Sequence, residues 1–255
     1  MNMQTKYNKV KTLVRKWHER GQLLYVRFNQ KTLLSLDLGT ICPKEVNGNP
    51  CRYCYKHQLH ALYKQFKPNI LYCAPIFNSG YMAIFLEEFR KIVEDNFSFR
   101  AFAISDIMPQ HIRFWRKVFT FIRSRGFRVH AITKQYKIIK RIEDCVDIIQ
   151  LSVDKHGNHV HNATMASMTA RNPSKYKIRC AALNEDELWY FLPKVDIVTL
   201  YHGPKKYLNV PTFKYTMGKY YNKFAKQVEG EYAKEHCVTV CCTTGRCLDC
   251  QKCWR

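Results

Sequence analysis

Apolar and polar positions alternate along this chain in two rhythms, one of period near 3.6 and one of short runs four to seven residues long. Residues 6–21 carry Val10, Leu13, Val14 and Trp17 on one helical face, and Gly21 supplies the stop. A short strand is expected over 23–28, and the run 32–38 reads as a buried strand. Residues 57–66 fit a helix halted before Pro68, and 70–77 fit an extra strand or a packed loop. From Tyr81 onward Met82, Phe85, Leu86, Phe89 and Ile92 recur at helical spacing. A regular alternation follows. Strands are expected over 99–105, 127–133, 147–153, 177–183 and 195–201. Between them lie a helix marked by Ile112, Trp115, Val118, Phe119 and Ile122 and closed by Gly126, a second over 135–143, and a third over 185–192. Asn184 with Glu187 is an N-cap pattern for the last of these. The stretch after 153 reads as a long polar loop through Asn172-Pro173.

Six strands alternating with helices, the first at 32–38, imply parallel pairing through right-handed crossovers, hence an α/β chain forming an open barrel or a doubly wound sheet. At 255 residues the chain is long enough for one such core. Its organisation reads as a basic N-terminal extension (1–31), the α/β core (32–203), and a Lys/Tyr-rich arm with a Cys-rich tail (204–255).

Charge and cysteine usage narrow the setting. There are 42 Lys and Arg against 20 Asp and Glu, a net charge of +22. Residues 1–35 hold eight bases and one acid, and 111–140 hold nine bases and none. Such a surface suits a polyanion, with nucleic acid as the candidate partner; the alternative is a basic surface that serves solubility alone. No apolar run approaches the roughly 18 residues that span a bilayer, so a cytoplasmic protein without membrane partners is expected. Thiols stay reduced there, and twelve cysteines then argue for metal over disulfides.

Three of those cysteines follow the 32–38 strand at once: Cys42, Cys51 and Cys54, spaced C-x8-C-x2-C, with Tyr53 before the last. Three thiolates suit an iron–sulfur cube that keeps one iron free of protein ligands, while zinc held by Cys51, Cys54 and two distant residues is the alternative. The loop resembles that of radical S-adenosylmethionine enzymes. Cys51-Arg52-Tyr53-Cys54 matches the second half of their C-x3-C-x-aromatic-C motif, whereas eight residues replace three in the first half. The resemblance implies a partial (β/α)6 TIM-like barrel, a 4Fe–4S cluster on Cys42, Cys51 and Cys54, S-adenosyl-L-methionine bound at its open iron, and an electron donor such as flavodoxin or ferredoxin. It also implies hydrogen abstraction from a substrate by a 5′-deoxyadenosyl radical.

In parallel α/β folds the active face is the C-terminal edge of the sheet, so polar residues there are the candidates. Ser105 and Asp106 stand where the family holds the cofactor's amino group, although Ser-Asp replaces a Gly-Glu-like motif. Tyr53 belongs to the cofactor loop, Thr133 and Lys134 are placed for the methionine carboxylate, and Ser152 and Asp154 for the ribose. The alternative for each is a helix cap or loop residue. The tract His156-Gly-Asn-His159-Val-His161 reads as a surface loop, and Cys73, Cys145 and Cys180 read as small core residues.

The tail packs six cysteines into residues 237–253, and Cys242, Cys247, Cys250 and Cys253 form C-x4-C-x2-C-x2-C. Four thiolates at that spacing bind metal, either zinc or a second 4Fe–4S cluster. The tail, ending Cys253-Trp254, resembles the phage gene product 88 branch of radical S-adenosylmethionine-like proteins. Before it, Lys205, Lys206, Tyr207, Lys214, Tyr215, Lys219, Tyr220, Tyr221, Lys223 and Phe224 interleave bases with aromatics. That pattern suits single-stranded nucleic acid, or an arm packing its tyrosines on the core. A zinc-stabilised, non-catalytic nucleic-acid-binding protein is therefore the rival to the enzyme.

Overall fold

Asn2 opens the first helix, α1 (Met3–Glu19), its side chain accepting from the Thr5 amide at 2.8 Å. The helix buries Tyr7, Val10, Leu13, Val14 and Trp17, the spacing of a single face. It ends in a Schellman motif: the Gly21 amide donates to His18 and the Gln22 amide to Trp17, with Gly21 at φ +68°. The computed structural model describes residues 2–29, 32–39, 45–46, 49–50, 72–93, 97–103, 105–153, 163–200, 213, 220–235 and 239–241. The chain is α/β, and its sheet strands are mostly parallel. It divides into two compact units, 1–43 with 62–149, and 44–61 with 150–255.

In the first unit β1 (Val26–Asn29) lies antiparallel to β2 (Leu33–Leu36), an edge pairing that the alternation of strands and helices does not announce. The segment expected as an N-terminal extension thus supplies α1 and β1 to this unit. The helix α2 (Ser79–Arg90) starts at Asn78, whose side chain accepts from the Tyr81 amide at 3.0 Å. Residues 72–78 before it carry no regular structure. Parallel to β2 lies β5 (Ser98–Ala101), and parallel to that lies β6 (Arg128–Thr133); β3 and β4 are the two-residue arms, Glu45–Val46 and Asn49–Pro50, of a small hairpin assigned to the other unit.

Between β5 and β6 runs α3 (Ile112–Ser124), entered through a 3-10 turn at Pro109–His111. After β6 come a single helical turn, α4 (Tyr136–Ile139), and a 3-10 segment (Lys140–Cys145), in place of the one helix expected over 135–143. Register puts Phe28 beside Leu34, and Phe99 beside Val129. Phe28 meets Tyr7 of α1 at 6.2 Å, and Phe99 meets Phe89 of α2 at 5.6 Å, which defines the helix-covered face. Phe89, Phe97, Phe99 and Phe127 close on one another in edge and tilted pairs, each pair adding about 0.5–1.5 kcal/mol beyond area burial.

Gly126 ends α3 as Gly21 ends α1, at φ +80° with its amide on Arg123 and the Phe127 amide on Ile122. A Cβ there would stand 3.6 Å from the Arg90 guanidinium, ordinary contact, so only the left-handed backbone opposes a side chain. Gly126→Ala should therefore cost about 1–2 kcal/mol in urea unfolding. A loss below a few tenths would show that the motif relaxes freely.

The strand β7 (Ile148–Val153) begins in the first unit and continues into the second. A helix, α5 (Ala163–Arg171), occupies part of what the sequence marks as polar loop. The strands β8 (Tyr176–Ala182) and β9 (Ile197–Leu200) are parallel, joined through α6 (Glu185–Phe191) and a 3-10 turn (Leu192–Lys194). The expected cap is present: the Asn184 side chain accepts from the Glu187 amide at 3.0 Å. Further on, α7 (Tyr221–Gln227), a π turn (Val228–Tyr232) and α8 (Ala233–Glu235) lead to β10 (Thr239–Cys241), parallel to β9.

One device recurs in both units. Asp147 accepts from the Val129 amide through its side chain and donates its own amide to the Val129 carbonyl; Asp196 does the same with Ile178. Each aspartate ties the entry of a strand to the one before it, which holds the parallel register. Cys73, Cys145 and Cys180 are buried thiols.

Candidate functional site

The C-terminal ends of β2, β5 and β6 lie on one side of the first unit because the three strands are parallel. Just past β2 stands Asp37, fully buried. Its Oδ2 accepts from the Ala103 amide at 3.1 Å, and its Oδ1 from the Ser105 amide and hydroxyl at 3.2 and 3.1 Å. The carboxylate thus anchors the chain leaving β5, where Phe102 takes φ +60°. From the other side Arg27 Nε donates to the Asp37 carbonyl at 3.3 Å, and its guanidinium lies 3.9 Å from the Cys73 thiol. Burial raises the Cys73 pKa, opposed by the Arg27 charge.

Asp106 makes the next link. Its Oδ1 accepts from the Thr133 hydroxyl and from the Ile107 amide at 2.7 Å, and its Oδ2 from the Lys134 amide at 2.9 Å. The Thr133 hydroxyl in turn accepts from the Gln135 amide at 2.9 Å. Asp37, Ser105, Asp106, Thr133 and Lys134 therefore join three strand ends in one polar chain. A carboxylate offers about four acceptor positions, and three on Asp106 are filled among the described residues. The fourth, on Oδ2, is the position from which Asp106 can take a further donor.

Burial lifts the Asp106 pKa from 3.8 to about 6, against the opposing pull of Thr133 and the Lys134 amide. Between those values the folded chain holds a proton that the unfolded chain has released, so stability falls as pH rises through that window. The shift, at about 1.36 kcal/mol per unit, sets an upper bound of roughly 3 kcal/mol. Urea midpoints of wild type and Asp106→Asn over pH 4–7 should differ in slope, the variant gaining on the wild type as pH rises. A difference constant with pH would place the Asp106 titration near its ordinary value.

Of the other residues singled out by sequence, Ser152 lies on β7 in the second unit, half-buried. Tyr53, Asp154, Cys42, Cys51, Cys54, Cys242, Cys247, Cys250 and Cys253 lie outside the described residues. Among the described residues no group of three or more His, Cys, Asp or Glu comes together for a metal, and no helix is long and apolar enough to cross a membrane. In the arm Tyr220 is exposed, as are Lys223 and Lys226, while Phe224 packs on Phe213 at 5.6 Å.

Asp37 is the residue that reading by strand ends passed over. An acid within the leucine-rich run Leu33-Leu-Ser-Leu-Asp37-Leu, five residues before Cys42, is the signal that marks it. Compared with protein-family models, curated proteins and solved structures, the chain finds no match.

Proposed function

We propose that this chain is a cytoplasmic radical S-adenosylmethionine enzyme built on a partial (β/α)6 barrel, with Cys42, Cys51 and Cys54 as cluster ligands. One observation carries the reading. The strand β2 runs parallel to β5 and β6 and leads past Asp37 into the cysteine-bearing segment, at the end of the sheet where Ser105, Asp106, Thr133 and Lys134 are linked. The chemistry of the donor set fits: three thiolates leave one iron of a cube open, and Asp106 keeps an acceptor for an ammonium group beside the Lys134 cation. When bound, a 4Fe–4S cluster supplies the electron that cleaves S-adenosylmethionine to methionine and the 5′-deoxyadenosyl radical, which takes hydrogen from the substrate.

The chain's own residues bind and orient. Asp37 holds the Ala103 and Ser105 amides and the Ser105 hydroxyl, and Asp106 fixes Thr133 and the Lys134 amide in turn. Lys134 would pair with the methionine carboxylate, Ser152 and Asp154 with the ribose, and Tyr53 with the cofactor loop. The tail's Cys242, Cys247, Cys250 and Cys253 would hold a second cluster or zinc, and a flavodoxin- or ferredoxin-type donor would deliver the electron.

Anaerobic reconstitution with iron and sulfide, followed by iron and zinc analysis and absorbance near 400 nm, tests the first requirement. Dithionite-reduced protein should then release 5′-deoxyadenosine from S-adenosylmethionine. Colourless, zinc-loaded protein that releases none, and that binds labelled single strands with a steep salt dependence, would favour the nucleic-acid-binding alternative.

A further inference from the structure

We propose that Arg100, on the face of the first unit's sheet turned away from its helices, is the anchor of a phosphate-binding site. The argument begins with register. Arg27, Ser35, Arg100 and His130 are successive cross-strand neighbours on β1, β2, β5 and β6. Side chains alternate faces along a strand. Because Phe28, Leu34 and Phe99 belong to the helix-covered face, these four share the opposite one. Strands stand about 4.8 Å apart, so Arg27 and Arg100 flank Ser35 with roughly 10 Å between their backbones.

The face is unlike an ordinary sheet interior. Ser35, Ser98 and His130 are buried, Arg27 is 6% exposed, and Arg100 is partly buried. His130 Nδ1 lies 2.9 Å from the Ser98 hydroxyl, which orients the ring within the row. Arg27 leans toward the strand end, onto the Asp37 carbonyl and Cys73. Arg100 is different: its Nε is shut off from solvent with no acceptor among the described residues. In the second unit a strand arginine of comparable burial, Arg179, has Gln150 at 2.8 Å and Thr199 at 2.6 Å as acceptors.

A guanidinium Nε–H that loses water and gains no acceptor costs free energy, and an oxyanion bound against that edge restores both hydrogen bonding and charge balance. The Arg100 charge, with the Arg27 charge one strand beyond Ser35 in the same row, favours a dianion over a single carboxylate. Asp37, the acid nearest along the β2 strand, already has its carboxylate on Ala103 and Ser105. Because Ser35 and His130 are buried, the proposed ligand is a phosphate monoester presented end-on, as in a nucleotide or a sugar phosphate, and not the side of a nucleic-acid strand. The site does not rest on the cysteine loop and exists in cluster-free chain.

The test uses the full chain without cluster. Inorganic phosphate, a nucleoside monophosphate and acetate are titrated by calorimetry, with phosphorus NMR line widths as the second readout. Wild type should bind the phosphate and the monophosphate saturably and in competition. Arg100→Met should weaken both at least 10-fold while melting no lower than wild type, since it removes a buried unpaired donor. Arg100→Lys should keep the charge, lose the fork and fall between. Lys9→Gln with Lys11→Gln, both exposed on α1, should leave binding unchanged. Absence of saturable binding, equal binding by Arg100→Met, or acetate competing as well as phosphate would each overturn the proposal.

Discussion

Replacing Cys42, Cys51 and Cys54 together with alanine should bring 5′-deoxyadenosine release down to the rate of a no-protein control while the chain remains folded. On the proposed reading the size of the effect follows from ligation, because these three thiolates would be what holds the cube that supplies the electron. The fold should survive because the described core is held by contacts among its own residues. Phe89, Phe97, Phe99 and Phe127 pack among themselves, and Asp37 is bonded to Ala103 and Ser105. On the same reading, iron and zinc analysis should show loss of one cluster equivalent, with any metal that Cys242, Cys247, Cys250 and Cys253 hold retained. Melting curves and product chromatography of anaerobic, reduced samples check both halves. Continued product formation by the triple variant would remove the loop from the chemistry.

Asp37→Ala should destabilise the chain by about 3–5 kcal/mol, the range expected when a buried, fully engaged charged group is removed and its donors are left unsatisfied. The Ala103 and Ser105 amides and the Ser105 hydroxyl all lose their acceptor, at a point where Phe102 already takes a left-handed conformation. Against a typical total of 5–15 kcal/mol that is a large fraction. Asp37→Asn keeps the shape and one acceptor oxygen but turns an amide toward an N–H donor, so about 1–3 kcal/mol is expected. Urea unfolding followed by tryptophan fluorescence measures both. An alanine variant within 1 kcal/mol of wild type would mean that the 103–105 backbone finds other partners.

Much of the architecture was legible in the pattern of side chains. Val10, Leu13, Val14 and Trp17 mark α1, and Met82, Phe85, Leu86 and Phe89 mark α2, because a buried helical face needs apolar residues every three to four positions. Gly21, Gly126 and Asn184 mark helix ends, because left-handed closure and side-chain capping restrict residue type locally. The six-strand alternation followed for the same reason. Other features escaped that reading. Residues 163–171 are small apart from Met165, Met168 and Arg171, yet form α5. Val26–Asn29 reads as a strand, but nothing local says that it pairs antiparallel to its successor. Thr239–Cys241 is too short to signal alone and is a strand only because the edge of β9 offers it hydrogen bonds.

The candidate site divides along the same line. The kinds of residue at strand ends, Ser105, Asp106, Thr133 and Lys134, follow from a period of two and from where each apolar run stops. Which of them meet does not. Asp37 reaches amides 66 and 68 residues away, and Asp106 a hydroxyl 27 residues away. Those encounters depend on the parallel register of β2, β5 and β6, which the crossovers between them set. Local composition and periodicity determine what each segment becomes and which face it buries. The pairing of strands distant in sequence decides which buried donors find which acceptors, because a hydrogen bond demands contact within about 3 Å and only the tertiary fold sets that distance.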